Sequence, residues 1–336
     1  MRVLGFGLFG LGKYEMKALV TGGTGFIGSH VVDLLLERGH HVRLFSRASE
    51  LPVRLAGKDV SHFSGDLRYP ESLSRAMKGM DVFYHIGEIR NTTRHAAKQN
   101  VQHVERAIDH LALSGVKRFV FISSISVAGI PSRTPADEET APIVTLADHY
   151  TWYKERCEKL LAEHVASAEY AVVRPGVVYG PGSRHLGSLI SAIERLGSIG
   201  IPFIGKGVNI APLIHVRDIA RAVYLAGIER GAAGQIFNIT DGLRHSWSDF
   251  LNAIAGALNK KMRILSFPPL LLRVPAQFLD VLSGMFRIRL SLRSYVQYLT
   301  TDLLFDNSKA QRLLNWKPEC SMIEGIEEMI REYRAR

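Results

Sequence analysis

Apolar, β-prone runs recur along the chain at residues 17–21, 42–46, 62–64, 82–86, 119–123 and 170–174. The stretches between them carry apolar residues at helical spacing. Residues 26–38 place Ile27, Val31, Leu34 and Leu35 on one face and meet Gly39, a helix-stopping residue. A second helix is predicted over about 95–113, stopped by Gly115, and a third over about 148–164. Strands rich in Val, Ile and Phe that alternate with helices predict an α/β fold, a doubly wound parallel sheet covered on both faces. After Pro175 the pattern loosens. Gly and Pro punctuate 176–187 and 201–207, 214–225 reads as a strand running into a helix, 235–240 as a strand, and 246–336 as largely helical. The expected organisation is an extension at 1–16, a sheet domain at 17–175 with 209–240 returning to it, and an interleaved, smaller lobe drawn mainly from 176–208 and 241–336.

Composition narrows the class. The chain has 336 residues, 46% hydrophobic and 22% charged, which excludes disordered and fibrous classes. Its two cysteines, Cys157 and Cys320, cannot build a disulfide framework or a Cys-rich zinc site, and the histidines show no metal spacing, so no metal is expected. That usage suits a cytoplasmic setting. No run of 18 apolar residues predicts a membrane span. The net charge of +10 suits a nucleic acid, an anionic lipid or a polyanionic cofactor. No Lys/Arg block and no nucleic-acid motif accompanies it, so no nucleic-acid partner is expected. The first fifteen residues contain Arg2 and an apolar run but no small-residue cleavage site; they read as an extension upstream of a start at Met16. Their Gly5-Phe6-Gly7-Leu8-Phe9-Gly10 is a decoy, lacking the flanking strand and helix that give G-x-G-x-x-G its meaning.

The informative glycines come next. Thr21-Gly22-Gly23-Thr24-Gly25-Phe26-Ile27-Gly28 follows the first strand and opens the first helix. Glycine permits the tight turn, brings backbone N–H groups to a pyrophosphate and packs helix on sheet, while the helix N-terminus favours the anion. The second strand ends in Phe45-Ser46-Arg47, with no acid to accept a ribose 2′-hydroxyl. An arginine there pairs with a 2′-phosphate, which favours NADP(H) over NAD(H); an ordinary surface residue is the other reading, with Glu50 nearby. Gly65-Asp66-Leu67 closes the third strand, where Asp66 either accepts the adenine amino group or caps a helix.

Tyr150 and Lys154 lie four apart on one helix face, and of the eleven tyrosines only Tyr150 has that lysine. Bringing a phenol from pKa ~10 to neutrality takes about 4 kcal/mol. One cation ~5 Å away supplies about 3 kcal/mol at an effective dielectric of ~20. Ser123-Ser124-Ile125-Ser126 follows the fifth strand at the sheet's carboxyl edge, where a serine hydroxyl either bonds a substrate oxygen or caps a turn.

With these motifs, residues 17–334 resemble the extended short-chain dehydrogenases/reductases, the NAD-dependent epimerase/dehydratase type. The resemblance rests on TGGTGFIG, Gly65-Asp66-Leu67, Asn100-Val101, the serines before Gly129, Tyr150-x-x-x-Lys154, Arg174-Pro175, Tyr179-Gly180-Pro181-Gly182 and His215-Val216-Arg217-Asp218. It implies Ser124 as the catalytic serine, Lys154 also on the nicotinamide ribose, Asn100 supporting the site, Pro175 bordering the nicotinamide, and a homodimer through the helices near 95–113 and 148–164. Where sugar-nucleotide members carry an arginine, this chain has Ala211, so it looks closer to the branch of 3β-hydroxysteroid dehydrogenases and dihydroflavonol reductases. Residues 259–301 interleave seven Lys/Arg with apolar residues against the single acid Asp280; they cover a lipophilic substrate, rest peripherally on an anionic membrane, or form a core helix with a basic outer face. The leading expectation is an NADP(H)-dependent oxidoreductase acting on a hydrophobic carbonyl or alcohol. A nucleotide-sugar epimerase/dehydratase and a non-catalytic NADP sensor are the alternatives.

Overall fold

The computed structural model describes residues 15–89, 93–146, 148–164, 168–268 and 292–335. The decoy glycines and the central part of the basic, apolar stretch at 259–301 lie outside them. Strands β1 (Lys17–Thr21), β2 (His41–Ser46), β3 (Val60–Ser64), β4 (Val82–His85), β5 (Arg118–Ile122), β8 (Glu169–Pro175) and β12 (Gln235–Ile239) form one parallel sheet in the order β12-β8-β5-β4-β1-β2-β3. The chain runs outward from β1 to β3, then crosses back to β4. The switch between β1 and β4 opens the crevice at the carboxyl ends where such sheets bind ligands.

The two-residue period of the strands supplies both cores. Leu19, Phe83, Phe119, Phe121 and Val172 face α2 (Pro70–Met77), α3 (Arg94–Ser114) and α4 (His149–His164). Val20, Leu44, Tyr84, Val120 and Val173 face α1 (Phe26–Glu37) and α6 (Val216–Ile228). The α/β, doubly wound class expected from the pattern is therefore the observed one.

The second lobe gathers short elements: β6 (Ile130–Pro131), β7 (Pro142–Val144), β9 (Val177–Tyr179), α5 (Gly187–Leu196), β10 (Ile201–Ile204), β11 (Leu213–His215), α7 (Trp247–Ala257), β13 (Ile264–Phe267), α8 (Leu292–Thr300) and α10 (Met322–Ala335); between the last two, α9 (Ser308–Leu314) returns to the large sheet and packs on β12 and α6. Their core includes Ile193, Leu213, Phe250, Ile254, Phe305, Ile326 and Ile330. Two details differ from the sequence pattern. The strand at β11 pairs with β9 and not with the large sheet, and β13, inside the stretch read as mainly helical, pairs with β10. Both are four-residue or shorter apolar runs whose partners lie far away in sequence, which periodicity cannot register.

Asp218 joins the lobes. Buried in α6, its carboxylate accepts from the backbone N–H groups of Glu319 and Cys320, each at 3.0 Å, and from Arg221 at 2.9 Å. The Trp316 indole donates to the Asp218 carbonyl at 3.0 Å. Asp218→Ala would leave buried donors unpaired and should lower the unfolding free energy by about 2–4 kcal/mol in urea titration. A loss below ~0.5 kcal/mol, the range of an ordinary surface change, would contradict this pinning role.

Candidate active site

The turn after β1 is shaped by close approach. Gly22 has φ +70°, and a Cβ there would sit 2.6 Å from the backbone N of Gly87, just past β4. A Cβ on Gly28 would lie 2.1 Å from the Gly22 carbonyl oxygen, so α1 packs directly on the turn. Gly25 caps α1 with no side-chain bond, and the first turn holds no acid. Its N–H donates to the Gly22 carbonyl at 2.8 Å. Thr24 is exposed, whereas Phe26 and Ile27 are half-buried and pack on the core. A glycine cradle below an uncapped helix N-terminus fits a dinucleotide pyrophosphate, because the outward N–H groups of the first turn carry unopposed positive partial charge.

At the end of β2 the Ser46 hydroxyl bonds His62 Nε2 at 3.0 Å, and Arg47 beyond it is exposed. Asp66 is engaged by Arg68 through Nε at 3.0 Å, Nη2 at 2.6 Å and the backbone N–H at 3.0 Å. These bonds, and to a lesser degree Arg47, hold its carboxyl below the usual carboxylate range. Asp66 is thus not the helix cap that one reading allowed: Tyr69 precedes α2 with no side-chain cap bond. Leu67 is half-buried against the α2–α4 core. Arg54 adds a cation that pattern reading missed, pairing Asp33 at 2.7 Å and reaching toward the Gly23 carbonyl at 3.5 Å.

Lys154 is the centre of the constellation. It is 3% exposed. Its ammonium donates to the Ile122 carbonyl at 2.7 Å, stands 3.2 Å from Glu88 Oε2, and lies 5.7 Å from the Tyr150 ring centroid. The i,i+4 spacing therefore brings Tyr150 and Lys154 together at the carboxyl end of β5. Ser124, next to that strand end, accepts from the Ser126 N–H at 3.2 Å and the Ser126 hydroxyl at 3.0 Å. It caps the turn over Ile125–Ala128, and α4 packs on that turn. A hydroxyl oxygen that accepts two bonds retains its own proton to donate. Asn100 spends its amide on the Ile89 backbone, accepting at 2.8 Å and donating at 3.1 Å. It thereby holds the segment that carries Glu88. Pro175 is buried at the end of β8.

Two further groups escaped the sequence reading. The Tyr153 hydroxyl donates to Glu88 Oε2. Beneath Pro175, Arg174 grips Glu158 with bonds of 2.9 and 2.6 Å, and Ser123 donates to the same carboxylate. The available signal was Glu158 itself, one helical turn past Lys154 on the same face. His85 bonds the Thr21 hydroxyl at 2.9 Å and stacks on Phe121 at 6.1 Å. Burial, reinforced by Lys154, pushes its pKa down to about 3. From the second lobe, Tyr298 is buried near enough to Tyr150 for that phenol to add to the upward push of burial on its own. Among the described residues, no three His, Cys, Asp or Glu side chains gather into a metal-binding group, and no helix is long and apolar enough to cross a membrane.

A parallel sheet with a glycine cradle at its switch point and a Tyr–Lys pair at its edge defines a dinucleotide-dependent enzyme class. Residues 18–240 match the NAD dependent epimerase/dehydratase family, and the chain belongs to that family. The family implies NAD or NADP as cofactor. The chain is 25% identical to a 3beta-hydroxysteroid-dehydrogenase/decarboxylase of Arabidopsis thaliana, over 94% of this chain and 79% of that protein. It is 27% identical to the UDP-glucose 4-epimerase of Vibrio cholerae, over 94% and 95%. The solved structure of gox2253 superposes with a TM-score of 0.79 at 24% identity, over 96% and 98% of the two chains.

The low pKa of His85 has a stability consequence. Below its ordinary value of ~6.5, the unfolded chain takes up a proton that the folded site refuses until about pH 3. The unfolding free energy should therefore fall by up to about 1.4 kcal/mol per pH unit from this group as pH drops from 6 to 4. His85→Asn should flatten that slope in urea titrations; an unchanged slope would exclude the linkage.

Proposed function

We propose that the protein is an NADP(H)-dependent oxidoreductase that moves a hydride to or from a carbonyl or alcohol carbon of a hydrophobic, steroid-like or keto-acyl substrate. The observation that carries the reading is the buried Lys154 ammonium beside the Tyr150 ring at the strand edge, next to the glycine cradle. The bound nicotinamide supplies the hydride acceptor or donor. Gly22, Thr24, Gly25, Phe26, Ile27 and Gly28 seat the pyrophosphate, with Asp66 and Leu67 at the adenine side and Pro175 at the nicotinamide side. Tyr150 exchanges the proton of the substrate oxygen, Lys154 favours the phenolate, and Ser124 donates to that oxygen.

Arg47, exposed at the end of β2 with no acid in the acceptor position, supports NADP over NAD. Ala211 is 1% exposed in the core of the second lobe. An alanine at that position offers no cation of its own to a nucleotide diphosphate, which supports a lipophilic substrate over a UDP-sugar. The name of the Arabidopsis relative points the same way. Exposed Leu265 and Phe267 beside Lys260, Lys261 and Arg263 support peripheral membrane contact. Leu113 on α3 and Trp152 on α4, both exposed, support a homodimer through those helices.

NADPH oxidation with a panel of ketosteroids and β-keto acids tests the reading. Tyr150→Phe should cut turnover by about 100-fold or more. Sugar-nucleotide conversion without net cofactor change would instead make the protein an epimerase, and NADPH binding without turnover would make it a sensor. Arg47→Ala should weaken NADPH binding about tenfold or more, as loss of a charge-assisted bond implies, with NADH binding little changed. Equal losses for the two would reject the NADP assignment.

A further inference from the structure

Glu88 has no counterpart in the motifs that define the site, yet it stands at the centre of it. Its side chain is 17% exposed and its Oε2 lies 3.2 Å from the Lys154 ammonium. The Tyr153 hydroxyl donates to that same oxygen. Asn100 clamps the next residue, Ile89, by both backbone groups. The carboxylate is therefore held against Lys154 from two sides. A cation favours the phenolate of a neighbouring tyrosine, and a carboxylate beside that cation offsets part of its field.

We propose that Glu88 is a positioning residue that anchors Lys154 against the Ile122 carbonyl and sets the pH at which Tyr150 exchanges its proton. The inference rests on the reading of Tyr150 as the proton-exchanging group. The other titratable groups packed around this site stay fixed near neutrality. His85 on β4 remains neutral above about pH 3, and His103 on α3 is held below its ordinary value by burial. On α4, burial raises Tyr153 well above its ordinary range and pushes Cys157 up to about 12. Tyr298 on α8 is likewise raised. Glu158 is paired with Arg174. Asp148, just ahead of α4, is a further carboxylate at Tyr150: it accepts from the Tyr150 backbone N–H, and burial raises it. Lys154 and Glu88 are the oppositely charged pair that the structure holds 3.2 Å apart beside the Tyr150 ring.

The test is the ultraviolet phenolate titration of the cofactor-free protein. Subtracting the curve of Tyr150→Phe isolates Tyr150 from the other ten of the eleven tyrosines. Glu88→Gln, read against the double variant with Tyr150→Phe, should move that midpoint down by about one to two pH units. Glu88→Asp keeps the charge but withdraws it from Lys154, so its midpoint should fall between Glu88→Gln and the parent. If Glu88→Gln does not fold, Glu88→Asp alone must still lie below the parent. A midpoint unmoved in the folded variants overturns the proposal, even where the melting temperature drops. The titration needs no substrate, so a failed turnover assay and a failed Glu88 effect remain separate results.

Discussion

A parallel sheet covered on both faces leaves polar side chains one place to meet, the ends of its strands. Along β1, β4 and β5 the residues alternate between two apolar cores. At the carboxyl ends the chain turns polar at Thr21, His85, Ser123 and Ser124, all buried. Buried polar groups must be paired. Thr21 meets His85, Ser123 meets Glu158, and Ser124 meets Ser126. The site is thus the region where the sheet's burial ends and its hydrogen-bonding demands have to be met by side chains from elsewhere.

Helix α4 meets most of them. Tyr150, Lys154 and Glu158 recur every four residues and form a ladder down one face. Each ion on that ladder is desolvated, which costs several kcal/mol unless it is paired and bonded. Lys154 has the Ile122 carbonyl and Glu88; Glu158 has Arg174 and Ser123. Both pairs tie α4 to the strand ends, so the geometry of the Tyr–Lys pair and the stability of the domain share the same contacts. The two pairs differ in one respect that matters chemically. Arg174–Glu158 involves the residue before Pro175, whereas Lys154–Glu88 has its ammonium 5.7 Å from the Tyr150 ring centroid.

The second lobe completes the crevice. The loop after β9 reaches α1, where the Pro181 carbonyl bonds His30 at 2.9 Å and the His185 ring lies 5.6 Å from Phe26. Tyr298 approaches Tyr150 from α8. The lobe is held in turn by Asp218 and by Asn307, whose amide donates to the Thr240 carbonyl at 2.8 Å after β12. Ala211 is buried in the core of this lobe.

The alternation of strand and helix, the glycine turn, the Tyr150–Lys154 spacing and the serines after β5 were all legible in the sequence, because each depends on residues within a few positions of one another. Local periodicity carries that information without knowledge of the fold. The pairing of β10 with β13, the role of Asp218 as a pin for Glu319 and Cys320, and the commitment of Asp66 to Arg68 were not legible in the pattern. Glu88 shows the reason most plainly. Nothing in its neighbourhood along the chain marks it, since it follows an ordinary strand and a glycine. Its meaning arises only when β4 and α4, some 66 positions apart at Glu88 and Lys154, are brought to 3.2 Å by the packing of helix on sheet. The sequence by itself determined which chemical groups exist and which face of each element they occupy; the tertiary structure decided which of them share an electric field.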